Sequence, residues 1–351
     1  MQATLPNCNP KSCTPPVGRV HLRLRQAHPP QHSHRVLRPL THQQRAKREA
    51  ERCLQAASCG AQQGSGLQTA TRRLRALDSY RLHLQRPDHD INLVECALLI
   101  AAHAYPDLDA DACVAQIDAL GDAIQRQLPE QAYPLRTLRA ISSHLYQAEG
   151  FCGNKDNYFD PQNSCLNRVL ATQTGIPITL GVLFMAVAQR VGLPMHGLNL
   201  PGHFMIKPSL EDLELLVDPF QGGEVCFLQD AEDKLSALYG MPVRVTPRVM
   251  QRSAAMSNRM ILNRMLNNLK QIYIGTRMSE RLLWIIQYIR ITRPDAPEEI
   301  RDEGLCLYSL RRFRECEACM QEYLTARPNA QDAPTVRKLL EHLHAMRQPK
   351  E

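Results

Sequence analysis

Within the stretch NLPGHFMIKPSLEDLELLVDPFQGGE, residues 199–224, His203 and Asp218 are of the types that complete a cysteine or serine hydrolase triad. In that chemistry the imidazole accepts the nucleophile's proton and the carboxylate holds the ring in the useful tautomer. A thiol nucleophile also needs a depressed pKa, supplied by a helix N-terminus or a nearby imidazolium. Three candidates precede the pair. Cys165 begins a short helical segment, where free N–H groups favour a thiolate. Cys152, in GFCGNKDN, lies on a loop, and Thr179 stands at the start of the next, longer helix. The competing reading is structural, since a buried polar pair must be satisfied and these two residues can satisfy each other. A metal reading would recruit His196, but no ligand spacing demands it, and no metal or cofactor is expected. NKDNYFDPQNS reads as capped turns, because the Gly and terminal Glu of a calcium loop are misplaced. Cys316 and Cys319 form a lone Cys-x-x-Cys inside a helical pattern, without the setting of a redox or zinc motif.

The elements that must position these residues are legible from periodicity. Leu93, Cys96, Ala97 and Ile100 keep helical spacing after the Asp-rich DHD, as do Cys113, Ile117, Leu120 and Ile124. A third helix opens at Pro134 and stops at Gly150, giving a three-helix front section with Cys96 and Cys113 as core thiols. Asn163 and Ser164 can cap a short helix from Cys165 to Thr172. Leu180, Leu183, Phe184, Val187, Ala188 and Val191 then form one apolar face of a central helix. If residues 208–213 connect two antiparallel strands, Lys207 opposes Glu214, Met205 opposes Leu216 and His203 opposes Asp218. Phe204, Ile206, Leu215 and Val217 fill the other face. A slip of one rung is expected to break the His203–Asp218 pair.

Towards the C-terminus, RPDA at 293–296 and RPNA at 327–330 recur at a period of 34. In that register Ile272 matches Cys306, Leu282 matches Cys316, Ile285 matches Cys319 and Ile289 matches Tyr323. This is the tetratricopeptide pattern, although Lys270 stands where the second unit has the small Gly304. Two such units bury too little to stand alone, so they are expected to pack on the preceding domain.

Composition closes other classes. Residues 1–77 carry thirteen Lys/Arg against two Glu, or +11, so residues 78–351 sum to −4 within a chain of net charge +7. The basic excess lies wholly in the leader, and the folded part offers no electrostatic case for nucleic acid. No apolar run is long enough for a membrane span. The twelve cysteines lack a disulfide framework and read as thiols of a reducing compartment. Residues 1–77 have no sustained period, which predicts a disordered basic leader. Its lack of early acids fits an organelle transit peptide, against a basic tail with a cytoplasmic protein.

DPQNSCLNRVLATQTGIPITLGVLFMAVAQRVGLP, PGHFMIK and LVDPFQGGE together resemble the SirB family, of plastid or cyanobacterial type, over roughly residues 80–345. The resemblance implies an α+β, mostly helical fold. It comprises a transglutaminase-like (papain-like) core with a small antiparallel sheet at 78–250, followed by tetratricopeptide-like helical hairpins at 251–351. It also extends to a segment of an F-box protein, which implies adaptor roles. In active members of the wider superfamily a cysteine begins the central helix, with the His and Asp following on adjacent strands. His203 and Asp218 match the last two positions, but Pro177 to Thr179 supply no cysteine. Two functions follow. One is a non-catalytic module that binds a protein partner through its groove or repeats. The other is a thiol hydrolase or acyltransferase on peptide amides, using Cys165, His203 and Asp218.

Overall fold

A computed structural model describes residues 66–347, apart from 201–202, 211–212, 246 and 252–253. The leader therefore lies outside the described residues up to 65, but its expected end at 77 is corrected. Residues 66–84 form helix α1, which buries Ala76, Leu77, Tyr80 and Leu84. A segment that reads as aperiodic over 77 residues thus hides one apolar stripe at its end. The front section has four helices, α1 with α2 (Leu93–Ala101), α3 (Ala110–Gln125) and α4 (Pro134–Ser142).

Local chemistry explains the helix starts. Asn92 caps α2 by accepting from the Glu95 N–H, and Asp109 caps α3 by accepting from Ala112 N–H. Asp88, one of the two aspartates that precede α2, accepts from the N–H groups of Asn258 and Arg259 at 2.8 and 2.9 Å. It closes the start of a helix 170 residues away, α8 (Asn258–Gly275). α4 runs on through a π-helical turn, Ser143–Ala148, into the two-residue strand β1 (Cys152–Gly153).

After β1 come α5 (Leu166–Thr172), strand β2 (Thr174–Gly175), which pairs parallel with β1, and the central helix α6 (Pro177–Arg190). The main sheet is antiparallel in the order β3 (Met195–Leu200), β4 (His203–Pro208), β5 (Leu216–Asp218) and β6 (Glu224–Cys226). Phe204, Ile206, Leu215 and Val217 turn one face of this sheet into the core that contains α6. A Cβ on Gly181 would sit 2.5 Å from the Phe204 ring, so only glycine lets helix and sheet approach this closely. Leu198, Leu200, Met205 and Leu216 cover the other face and pack on Ala231 and Leu235 of α7 (Leu228–Tyr239).

The C-terminal helices are α8, α9 (Ser279–Thr292), α10 (Glu298–Ser309), α11 (Phe313–Ala326) and α12 (Ala333–Arg347). α9 and α11 are offset by the 34 residues that separate RPDA from RPNA. Leu262, Met265, Leu269, Tyr273, Ile285 and Tyr288 join the same core as α1 and α6, so the repeats pack on the preceding helices. Lys270, the departure from the repeat pattern, is buried and paired with Glu299 at 2.6 Å and Asp302 at 2.7 Å. Its counterpart Gly304 meets Met320, where a Cβ would lie 2.6 Å from the methyl carbon.

Candidate functional site

His203 opens β4 and Asp218 closes β5, and their side chains meet, with Nε2 3.0 Å from Oδ2. The expected register is corrected by one rung, because Ile206 pairs with Val217 rather than with Leu215. His203 therefore reaches Asp218 diagonally across the ladder, a separation that a long side chain spans. The slip expected to break the pair leaves it intact.

Asp218 is almost fully enclosed, with 2% of its side chain exposed against 19% for His203. Its Oδ1 accepts from the N–H groups of Phe220 and Gln221 at 3.0 and 3.2 Å, which bends the chain into the turn before β6. Burial pushes its carboxyl up, but the His203 bond and charge with the Phe220 N–H outweigh that and hold it below the usual range. Asp218 is thus an anion at neutral pH. It accepts the Nε2 proton of His203 and leaves the Nδ1 lone pair as the ring's proton acceptor.

The turn that carries Asp218 is held from behind. Tyr146 Oη donates to the Pro219 carbonyl at 2.8 Å and Ser142 Oγ donates to the Gly223 carbonyl at 2.7 Å. Gly223 has a φ of 67°, and a Cβ there would strike Ser142 and Tyr146 at 2.6 Å. Gly153 of β1 lies under the Phe220 ring at what would be 2.5 Å from a Cβ. Tyr158 meets Phe220 edge-on at 5.9 Å. The loop bearing Tyr158 is a set of capped turns, in which Asn163 donates to the carbonyls of Asn157 and Tyr158 and Asn154 accepts from Asn157 N–H. Sheet, turn and α7 enclose a cleft of about 770 Å³ lined by His203, Asp218, Met205, Tyr158, Phe220 and Leu235 among others. That size suits a small ligand or a few residues of peptide.

None of the three nucleophile candidates completes this pair. Cys165 is the N-cap of α5 rather than a residue of its first turn, and it is 1% exposed within the main core. Burial pushes its thiol up to about 12, overriding any help from the helix terminus and from Arg281 and Arg168. The charged groups acting on it are Arg281, Arg168 and Asp160, a different neighbourhood from that of His203. Thr179 is buried, donating to the Asn163 carbonyl at 2.7 Å and accepting from Ile176 N–H, so it closes the start of α6. Cys152 is exposed and its Sγ lies 3.9 Å from Thr174 Oγ1. Gly153 faces Phe220, so strand alternation turns Cys152 away from it. Among the described residues, His203 makes no side-chain hydrogen bond except to Asp218.

His196 lies on β3 opposite Lys207, roughly 13 Å along the strand from His203 at ~3.3 Å per residue. Its Nδ1 is 3.3 Å from Ser209 Oγ, and among the described residues no group of His, Cys, Asp or Glu could hold a metal. Cys316 and Cys319 sit in α11, where burial raises both thiols. Sequence reasoning missed Arg264 of α8, which donates to the carbonyl oxygen of His203 at 3.4 Å and to Asn199 Oδ1. Arg264 is one of two arginines on a helix that also carries several Asn residues and Lys270, so nothing in the sequence singles it out.

Residues 111–267 match the transglutaminase-like superfamily, and residues 269–341 match the tetratricopeptide repeat. A UPF0162 protein of Xylella fastidiosa (strain 9a5c) is 32% identical over 251 residues, 71% of this chain and 89% of that protein. A UPF0162 protein of Vibrio cholerae is 25% identical over 250 residues, 71% and 91% of the two chains. Human F-box only protein 21 is 25% identical over 205 residues, 48% of this chain and 33% of that protein. No solved structure matches. The UPF0162 relatives are bacterial, and they give no support to the plastid or cyanobacterial type or to an organelle-targeting leader. No helix among the described residues is long and apolar enough to cross a membrane.

Proposed function

The chain belongs to the UPF0162 family, and we propose that it is a non-catalytic, protein-binding adaptor or regulator whose recognition site is the cleft beside His203 and Asp218. One observation carries this reading. The His–Asp half of a triad is complete at a mostly apolar cleft, while Pro177, Ile178 and Thr179, at the position of the nucleophile, are all buried and contain no thiol. The His203–Asp218 hydrogen bond then serves to fix β4 against β5 and to present a polar end to the cleft. Tetratricopeptide repeats stacked on the same core support a role in protein interaction.

A second reading keeps Cys165, His203 and Asp218 as nucleophile, base and orienter of a thiol hydrolase or acyltransferase on peptide amides. The intact His203–Asp218 bond favours it, but Cys165 would have to leave the core and lose a protonated state that burial favours.

Two measurements on the full chain separate the readings. A photo-crosslinking residue replaces exposed Ala237 on the cleft wall, with another at exposed Tyr133 as control. Crosslinks to polypeptide are expected at the first position and not the second. A thiol-directed activity probe is expected to label wild type and Cys165→Ala equally. Labelling of Cys165 that disappears in His203→Ala would refute the non-catalytic reading.

A further inference from the structure

We propose that Arg73, Arg168 and Arg281, together with the Tyr105 hydroxyl, form a second site, separate from the cleft, that binds a phosphomonoester dianion. The three arginines come from different helices, α1, α5 and α9, and each is half-buried. They meet at the loop 102–108 that leaves α2. Arg168 lies over the Tyr105 ring, 5.8 Å from its centre. Arg281 hydrogen-bonds the Tyr273 hydroxyl, which is 2.6 Å from His103 Nε2. Arg73 follows Arg72, whose ion pair with Asp107 ties α1 to the same loop. The charges overlap in range, since Arg281 and Arg73 both act on His103, and Arg281 and Arg168 both act on Tyr105 and Cys165.

None of the three has an acid partner among the described residues. Arg168 spends only its Nε, on Gln162 Oε1 at 2.9 Å, and Arg281 only its bond to Tyr273. Arg73 Nε is shut off from solvent with no acceptor, and Tyr105 Oη makes no hydrogen bond among the described residues. The acids of this neighbourhood are committed: Asp107 to Arg72, and Asp160 to the Gln162 N–H and the Asn157 side-chain amide. Single arginines whose N–H groups end on carbonyls occur elsewhere, as Arg259 does on Leu84 and Thr292. Here convergence decides: three like charges, partly withdrawn from water, repel one another and keep donors in hand. Arg281 also stands in the first turn of α9, where the helix dipole disfavours a cation. A bound anion reverses both penalties.

Number selects the anion. A carboxylate would leave two of the three charges unanswered, whereas a phosphomonoester brings about two negative charges and three acceptor oxygens. Guanidinium forks match phosphate oxygens, and the Tyr105 O–H can donate to another. A nucleic-acid strand needs a track of cations rather than one point, and residues 78–351 sum to −4.

The test titrates the full chain with inorganic phosphate, against chloride at fixed ionic strength, and with an O-phosphoserine peptide, against its unphosphorylated form. Wild type is expected to bind phosphate in at least one form, and the tighter one names the source, a free phosphate compound or a modified polypeptide. Each of Arg73→Gln, Arg168→Gln and Arg281→Gln should weaken binding by at least ~10-fold, as loss of a charge-assisted hydrogen bond implies. Arg281→Lys should retain part of the affinity, and Arg126→Gln, at an exposed position, should leave it unchanged. Thermal melting checks that each variant folds. A readout that needs no variant is protection: phosphate should slow the modification of Arg73, Arg168 and Arg281 by phenylglyoxal in wild type, read by peptide mass spectrometry. Absence of binding by both probes, or binding that the three Gln variants and Arg126→Gln weaken alike, overturns the site.

Discussion

His103 offers a sharp quantitative prediction, because it is a titratable ring with no exposure at all. Its Nδ1 is 2.6 Å from the Ile100 carbonyl, which only a protonated nitrogen can satisfy, so Nε2 is the acceptor for the Tyr273 hydroxyl at 2.6 Å. Arg281 in turn hydrogen-bonds Tyr273, which commits the phenol oxygen as an acceptor. A second ring proton on Nε2 would face the phenol oxygen already engaged by Arg281. Burial accordingly lowers the pKa from 6.5 to about 4. A depressed histidine stabilises the fold fully above its unfolded pKa, and the contribution is lost as pH falls from there through the folded pKa. A shift of that size corresponds to ~3 kcal/mol once pH falls below about 4, and to ~2 kcal/mol at about pH 5. Urea unfolding at pH 7.5 and pH 5.0, for wild type and His103→Gln, isolates this term from the other histidines. Wild type should lose ~2 kcal/mol more than the variant over that interval. Parallel losses in the two proteins would show that His103 is already charged or already solvated, and the junction of α2 with α8 would need another account.

Two further perturbations test the supports of the site and of the repeats. Gly153→Ala places a Cβ against the Phe220 ring and 2.8 Å from its backbone carbonyl, which cannot rotate aside. It should cost ~1–3 kcal/mol and alter cleft binding, read by thermal melting and peptide titration. Lys270→Met leaves Glu299 and Asp302 without their shared cation, although Asp302 keeps Arg301. A loss of ~3 kcal/mol is expected by chemical unfolding, and a neutral outcome would mean that the carboxylates protonate without cost.

What the sequence disclosed and what it hid divide along physical lines. Helical stripes were legible where burial repeats at 3.6 residues: Cys96, Ala97 and Ile100 lie in the core as their spacing assigns, whereas α6 is buried on every side from Pro177 to Ala188 and its stripe marks no single face. The α1 stripe of Leu77, Tyr80 and Leu84 was masked by the arginines at 72, 73 and 75 just before it. Capping partners were less legible. An Asp beside a helix start looks local, yet Asp88 serves a helix distant in sequence, and no periodicity records that. Strand register depended on a guessed loop length, so the same-face assignment survived while the rung did not.

The site shows why types and order of residues underdetermine chemistry. Cys165 precedes His203 and Asp218 in the order a triad requires and stands at a helix start. Both facts are visible in sequence and both suggest a thiolate. Burial decides otherwise, because a thiol enclosed by the main core gains nothing from a dipole that cannot offset its desolvation. Conversely, Arg264 looks like an ordinary helical arginine until the fold stacks it on Phe204 beside the His203 carbonyl. Burial disfavours the charged form at both positions, raising the Cys165 thiol and lowering the Arg264 guanidinium. At Cys165 it silences a nucleophile that sequence order favours.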